Sequence, residues 1–191
     1  MIEHKFPYES FIGGWYIDEK ICDEVISFFK NNLNKTHSGY TTDKKGNVAV
    51  LKEIKDSTDM TIDPKINIGS YRQALQEVLE NYIKKYPDVN NLQRFDIREE
   101  YVIQHYKKGG GYKHEHCERG GLKSSWRNLV FMTYLNDVDD GGTHFKHQKI
   151  TTPAKKGLTL IWPSDWTHMH KGQISNTKEK YIVTGWYNYE Q

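Results

Sequence analysis

Cysteine is scarce in this chain: there are two, Cys22 and Cys117. Two cysteines cannot build a disulfide framework, so the expected setting is a reducing one, the cytoplasm. Long hydrophobic runs are missing as well. No apolar stretch approaches the about 18 residues that cross a bilayer. The opening MIEHKFPYES lacks the basic start and apolar centre of an export signal. Charge of one sign is also absent. Lys and Arg number 27 and Asp and Glu 25, for a net charge of +2. That balance leaves no electrostatic footprint for nucleic acid or an anionic membrane. No repeat, low-complexity tract or interdomain linker breaks the 191 residues, so one domain, 1–191, is expected.

What is present divides into two parts. Asp18 is placed to cap a helix, and Ile21, Val25, Ile26 and Phe29 follow at helical spacing. Ser70 and Gln73 form the pattern of a capping box ahead of Leu75, Val78, Leu79, Tyr82 and Ile83, and Pro87 ends that helix. Between them, residues 37–60 are polar, with Lys45-Gly46-Asn47 as a hairpin tip. Such an excursion is either a surface hairpin or a lid. From Glu99 onward the chain turns to short β-branched and aromatic runs: EEYVIQHY, NLVFMTYL, GLTLIW and KYIVTGWYN. Asp140-Gly141-Gly142 supplies a turn. Helices first and strands afterwards predict an α+β fold, with the helices packed on one sheet of a sandwich or barrel.

The chemistry concentrates in GGGYKHEHCERGG, residues 109–121, and in WTHMHKG, residues 166–172. Side chains at i and i+2 share one face of a strand. His114, His116 and Glu118 would then point one way, and so would His168 and His170. Two histidines and a carboxylate are the inventory of a facial triad on Fe(II), which leaves open positions for a cosubstrate and oxygen. A closed zinc site would ask for more cysteine than Cys117 provides. The pattern also permits a cupin-like site in which His114 and His116 both bind a metal. His37, His105, His144 and His147 read as structural or exposed.

Residues 101–188 resemble the prolyl 4-hydroxylase branch of the Fe(II)/2-oxoglutarate dioxygenases, including its compact bacterial and phage forms. Four segments carry the resemblance, in order: YKKGGGYKHEHCE, RNLVFMTYLNDVDDGGTHF, PAKKGLTLIWPSDWTHMHKG and KYIVTGWYN. It implies a double-stranded β-helix, or jelly-roll, as the catalytic core over 98–191. Residues 1–97 would be a helical support carrying the hairpin or lid. It implies His116, Glu118 and His170 as metal ligands, since the family's basic residue follows its distal histidine by about ten positions and Lys180 lies ten after His170. The family mostly has aspartate where this chain has Glu118. His114 would then be a neighbour on the inner face or mouth of the barrel, and His168 a neighbour of the ligands or a surface residue. Lys180, Tyr106 and Tyr134 would bind 2-oxoglutarate, and Trp126, Arg127 and Trp186 the substrate. The implied cofactors are Fe(II), 2-oxoglutarate and O2, with ascorbate as reductant. The implied substrate is a peptidyl proline in a peptide or protein, with a small metabolite as the alternative. A non-catalytic cupin-like binding protein is the rival from another class. Neither nucleic acid nor membrane is expected as a partner.

Overall fold

The computed structural model describes residues 1–42 and 47–190. Helix α1 (Glu19–Asn31) starts as its sequence predicts, with the Asp18 side chain accepting the Lys20 backbone N–H at 2.9 Å. Helix α2 (Tyr71–Lys85) starts differently, because Ser70 makes no side-chain cap. Its φ of −97° and ψ of 16° are not the extended conformation that turns a hydroxyl onto the helix end. The expected capping box is therefore corrected. Lys84 and Lys85 occupy the last turn, against the negative end of the helix, and Pro87 opens a separate short turn, Pro87–Asn91.

Nine strands frame the site: β1 (Gly13–Tyr16), β2 (Thr58–Ile62), β3 (Tyr101–Tyr106), β4 (Arg127–Tyr134), β5 (Thr143–Phe145), β6 (Ile150–Thr151), β7 (Leu158–Pro163), β8 (His170–Gly172) and β9 (Lys180–Tyr189). The large sheet runs Ile2–Glu3, β1, β7, β4, β9, β3, β2 and His37–Ser38, with antiparallel neighbours. Phe95–Asp96 also pairs with β9. Strands β6, β5 and β8 form a smaller sheet. The chain is thus mostly β with two helices, in keeping with a jelly roll. Residues 1–97 are not a purely helical support, because β1, β2 and His37–Ser38 come from them. Short strands of this kind gain their stability from distant partners, and a local pattern does not reveal them.

The period-2 alternation of the central strands divides the interior. On β4, Leu129 and Phe131 join a buried cluster with Cys22, Val25 and Phe29 of α1 and Leu75, Val78 and Tyr82 of α2. Val130, Met132 and Tyr134 face the other way, into a second cluster with Phe145 and Trp162. The site lies on this second face.

The polar segment 37–60 is tied into the fold at several points. His37–Ser38 pairs with β2, and Lys55–Asp56 pairs with Gly111–Tyr112. Thr41–Thr42 pairs with Val48–Ala49, so a hairpin is present there. Lys45 and Gly46 of the expected tip lie outside the described residues. The expectation of a lid over the whole of 37–60 is narrowed accordingly. Among the described residues, no helix is long and apolar enough to cross a membrane.

Candidate metal centre

His116, Glu118 and His170 bring their ligand atoms within 4.8 Å of one another. The backbone that does this is not the regular strand expected from His-x-Glu spacing. Residues 113–119 form a single bridge, at His116, to His170. The two ligands exchange backbone hydrogen bonds in both directions, each 2.9 Å. Glu118 and Arg119 both donate their backbone N–H to the Ser164 carbonyl, at 3.1 and 3.0 Å. Arg119 also forms an ion pair with Asp165. The segment that carries Glu118 is thereby fastened to the one leading into His170.

The remaining histidines of the two motifs serve through their backbones. His116 Nδ1 lies 3.0 Å from the His114 carbonyl, and His170 Nδ1 lies 2.8 Å from the His168 carbonyl. A carbonyl only accepts, so each Nδ1 must carry a proton, which leaves Nε2 as the nitrogen that can offer a lone pair to a metal. Both Nε2 atoms face Glu118 Oε1, at 3.3 and 3.5 Å. The His114 side chain is exposed and does not line the cavity, which corrects its placement on the inner face or mouth. His168 ends a 3-10 turn, Trp166–His168, and its buried ring bonds the Ser10 carbonyl at 2.9 Å. It is therefore neither a surface residue nor a strand neighbour sharing a face with His170.

The electrostatics suit a cation. Burial acts to raise the Glu118 carboxyl, but hydrogen bonds and charge from His116 and His170 outweigh it and hold it well below the usual carboxylate range. Burial, with the neighbouring His116, pushes His170 down. Deprotonated carboxylate and neutral imidazole are the forms that bind a metal. Two imidazole nitrogens and one carboxylate oxygen, with no thiolate, fit Fe(II). Burial holds the Cys117 thiol up, so it stays a protonated bystander.

The cluster opens on a cavity of about 970 Å³. Lys180 reaches it from the first position of β9 and is 4% exposed. Its ammonium donates to the carbonyls of Gly141 and Gln173, at 2.8 and 2.9 Å. It has no ion-pair partner among the described residues, and burial pulls its pKa from 10.5 to about 8. A buried cation without a counterion is the chemical complement of an anionic ligand. Gly172, two residues beyond His170 on β8, leaves room for one: a Cβ there would stand 3.7 Å from Lys180 Nζ.

Tyr106 and Tyr134 line the same cavity. The Tyr106 hydroxyl donates to Gln104 Oε1 at 2.6 Å, and the Tyr134 hydroxyl lies 2.7 and 2.8 Å from those of Thr143 and Thr152. Burial holds Tyr106 well above its ordinary pKa and pushes Tyr134 up to about 12. Both remain neutral donors.

Of the three residues read as substrate contacts, Arg127 and Trp186 line the cavity and Trp126 does not. The Trp126 indole bonds back to the Lys123 carbonyl at 3.2 Å. Arg127 is engaged by Glu99 at 2.8 and 2.7 Å. Two features of the wall escaped the sequence. Tyr112 stacks on His116 with ring centres 3.7 Å apart. Lys55 and Asp59 form a buried ion pair at 2.6 Å. Their four-residue spacing in a polar segment gave no sign of burial.

Comparison with curated protein sequences gives no match. Among solved structures, a collagen prolyl hydroxylase of Paramecium bursaria chlorella virus-1 in complex with 2-oxoglutarate is similar at TM-score 0.69. Identity is 16%, over 94% of this chain and 97% of that one. A Pseudomonas putida prolyl-4-hydroxylase is similar at TM-score 0.61 and 15% identity, over 94% and 93%. A Trichoplax adhaerens prolyl hydroxylase, in complex with a hypoxia inducible factor oxygen degradation domain peptide fragment, gives TM-score 0.73 and 13% identity, over 94% and 84%. At such identities the likeness is one of fold. The sequence points the same way: residues 101–188 match the model of the 2OG-Fe(II) oxygenase superfamily.

Proposed function

We propose that the chain hydroxylates a peptidyl proline, consuming 2-oxoglutarate and O2 and releasing succinate and CO2. The observation that carries this reading is the pairing, in one cavity, of the His116–Glu118–His170 cluster with the buried, unpaired Lys180. His116, Glu118 and His170 hold the metal. Bound Fe(II) supplies the activation of O2 that drives C–H hydroxylation. Lys180 binds the far carboxylate of 2-oxoglutarate as a point charge. Tyr106 and Tyr134 stay protonated beside it and offer hydroxyls. The apolar neighbours Met132, Ile182 and Trp162 keep bulk water from the reacting end.

Tyr40, Val48 and Leu122 are exposed where they line the cavity, and they suit an extended peptide laid across it. The peptide complex of the Trichoplax adhaerens enzyme supports the same substrate class. Residues 98–191 act as the catalytic core, with α1 and α2 as the support of its large sheet and the whole chain as one domain. A free amino acid is the second reading, favoured by the Lys55–Asp59 pair on the cavity wall, which could face a zwitterion.

The test is incubation with Fe(II), 2-oxoglutarate, O2 and a library of proline-containing peptides, read by mass spectrometry. Gain of one oxygen on proline, with matching succinate, is the expected result. Oxygen gained on a free amino acid but on no peptide would replace the substrate and keep the reaction. Without air, Fe(II) and 2-oxoglutarate should give a weak visible charge-transfer band, and a binding protein of the cupin type would lack it.

A further inference from the structure

The two oxygens of Glu118 have different surroundings. Oε1 faces His116 and His170 at 3.3 and 3.5 Å. Oε2 accepts the indole N–H of Trp186 at 2.9 Å and lies 3.7 Å from Arg127 NH1. An indole N–H only donates and cannot ligate a metal, so it marks Oε2 as the oxygen turned away. The bond is charge-assisted and strong for its kind.

The donor is itself braced. The Arg127 guanidinium carbon sits 3.5 Å from the centre of the Trp186 ring. Its Nε and NH2 grip Glu99 at 2.8 and 2.7 Å, and NH1 also donates to the Glu118 carbonyl at 3.1 Å. Asn188 holds Glu99 in turn, at 2.7 Å. Arg127 thus has its nitrogens committed and its flat face on the indole. That arrangement orients a neighbour rather than awaiting a substrate.

Glutamate needs such a brace. It has one more rotatable bond than aspartate, so its carboxylate can swing toward a metal through either oxygen or both. A carboxylate that chelates through both oxygens takes a position that the facial arrangement leaves for cosubstrate or oxygen. We infer that Trp186, stacked on the Arg127 that Glu99 holds, is a positioning residue that restricts Glu118 to Oε1 as its metal-directed atom. This rests on the reading of His116, Glu118 and His170 as the ligand set.

The test uses Co(II) as the probe, with affinity from titration and geometry from its visible ligand-field bands, without substrate. Trp186→Phe keeps the ring and removes the N–H. It should weaken Co(II) about 10–100-fold, the range for lost partners of metal ligands, and alter the bands. In the Glu118→Asp background the shorter carboxylate withdraws from the indole. There Trp186→Phe should change affinity by no more than about twofold, which gives a clear coupling term. A purely structural tryptophan would lower affinity equally in both backgrounds, and that outcome overturns the inference. So does an affinity and spectrum in Trp186→Phe equal to those of the wild type. If Trp186→Phe melts early, Arg127→Lys tests the same brace. It loses the planar stack and fork, and should show a smaller loss that also vanishes with Glu118→Asp. Wild-type protein that binds no Co(II), or binds it undiminished in His116→Ala, would sink the ligand-set reading instead.

Discussion

The cavity has two ends built in opposite ways. The metal end stands on irregular backbone, with residues 113–119 and 166–169 fixed by reciprocal bonds, shared carbonyls and stacked rings. The lysine end stands on the middle of the large sheet, where β9 is flanked by β3 and β4. At the metal end, backbone carbonyls fix both imidazoles through Nδ1 and an indole N–H holds the far carboxylate oxygen before any ligand arrives. At the lysine end, the ammonium is buried against two carbonyls and the Tyr106 ring, with no carboxylate partner among the described residues, and is held at a cost. The first end is preorganised by satisfaction, and the second is primed by a deficit that an anion makes good.

The sharpest way to break this contrast is to remove the ligands. His116→Ala, Glu118→Ala and His170→Ala should each abolish turnover and metal retention, while His114→Ala keeps both, because its contribution is a backbone carbonyl. Metal analysis and succinate release on the four variants decide it. A second step acts on the other end. Lys180→Met should weaken 2-oxoglutarate binding by roughly 2–5 kcal/mol, as when a buried charge loses its partner. Metal retention should remain. The unliganded variant should also be more stable than the wild type, because it escapes a burial cost of about 3 kcal/mol that is only partly offset by the Gly141 and Gln173 carbonyls losing a donor. Denaturant unfolding reads this, and a destabilised variant would contradict the deficit.

pH sharpens the comparison further. The folded-state value of Lys180, about 8, lies below its ordinary 10.5. The unfolded chain then binds more protons between those values, so unliganded stability from this group should rise as pH climbs from 8 to 10.5. Binding of 2-oxoglutarate needs the ammonium and should weaken about tenfold per pH unit above 8. A flat affinity from pH 7 to 9.5 would remove Lys180 from the anion site. The smallest effect belongs to Tyr134→Phe. It leaves two buried threonine hydroxyls short of a partner and should cost about 1 kcal/mol of stability, measured by thermal melting.

Much of the site was legible because its parts are local. The α1 cap is written in Asp18, and the alternation of KYIVTGWYN puts Lys180 on the same face as Ile182 and Trp186, all three of them lining the cavity. The legible part ended where geometry depends on distant chain. Ser70 has a capping residue's chemistry without its backbone angles. Gly13–Tyr16 is a strand because Leu158–Ile161 lies beside it. Arg127 is an acceptable surface arginine until Glu99 and Trp186 are brought to it. Strand alternation put His114 with His116 and Glu118, yet only the last two meet at His170, because one bridge ties His116 to His170 and the Ser164 carbonyl ties Glu118.

That bridge has a consequence for how such a molecule can change. His116 and His170 stand 54 positions apart (170 − 116), and their mutual backbone bonds need no particular side chain from the intervening residues. The loops of that stretch, such as 119–126, can alter their length and surface while β4 and β7 keep the two imidazoles in place. Reactivity and recognition can therefore vary independently along one chain: a fixed pair of ligands, and around them a rim free to be rewritten for a new substrate.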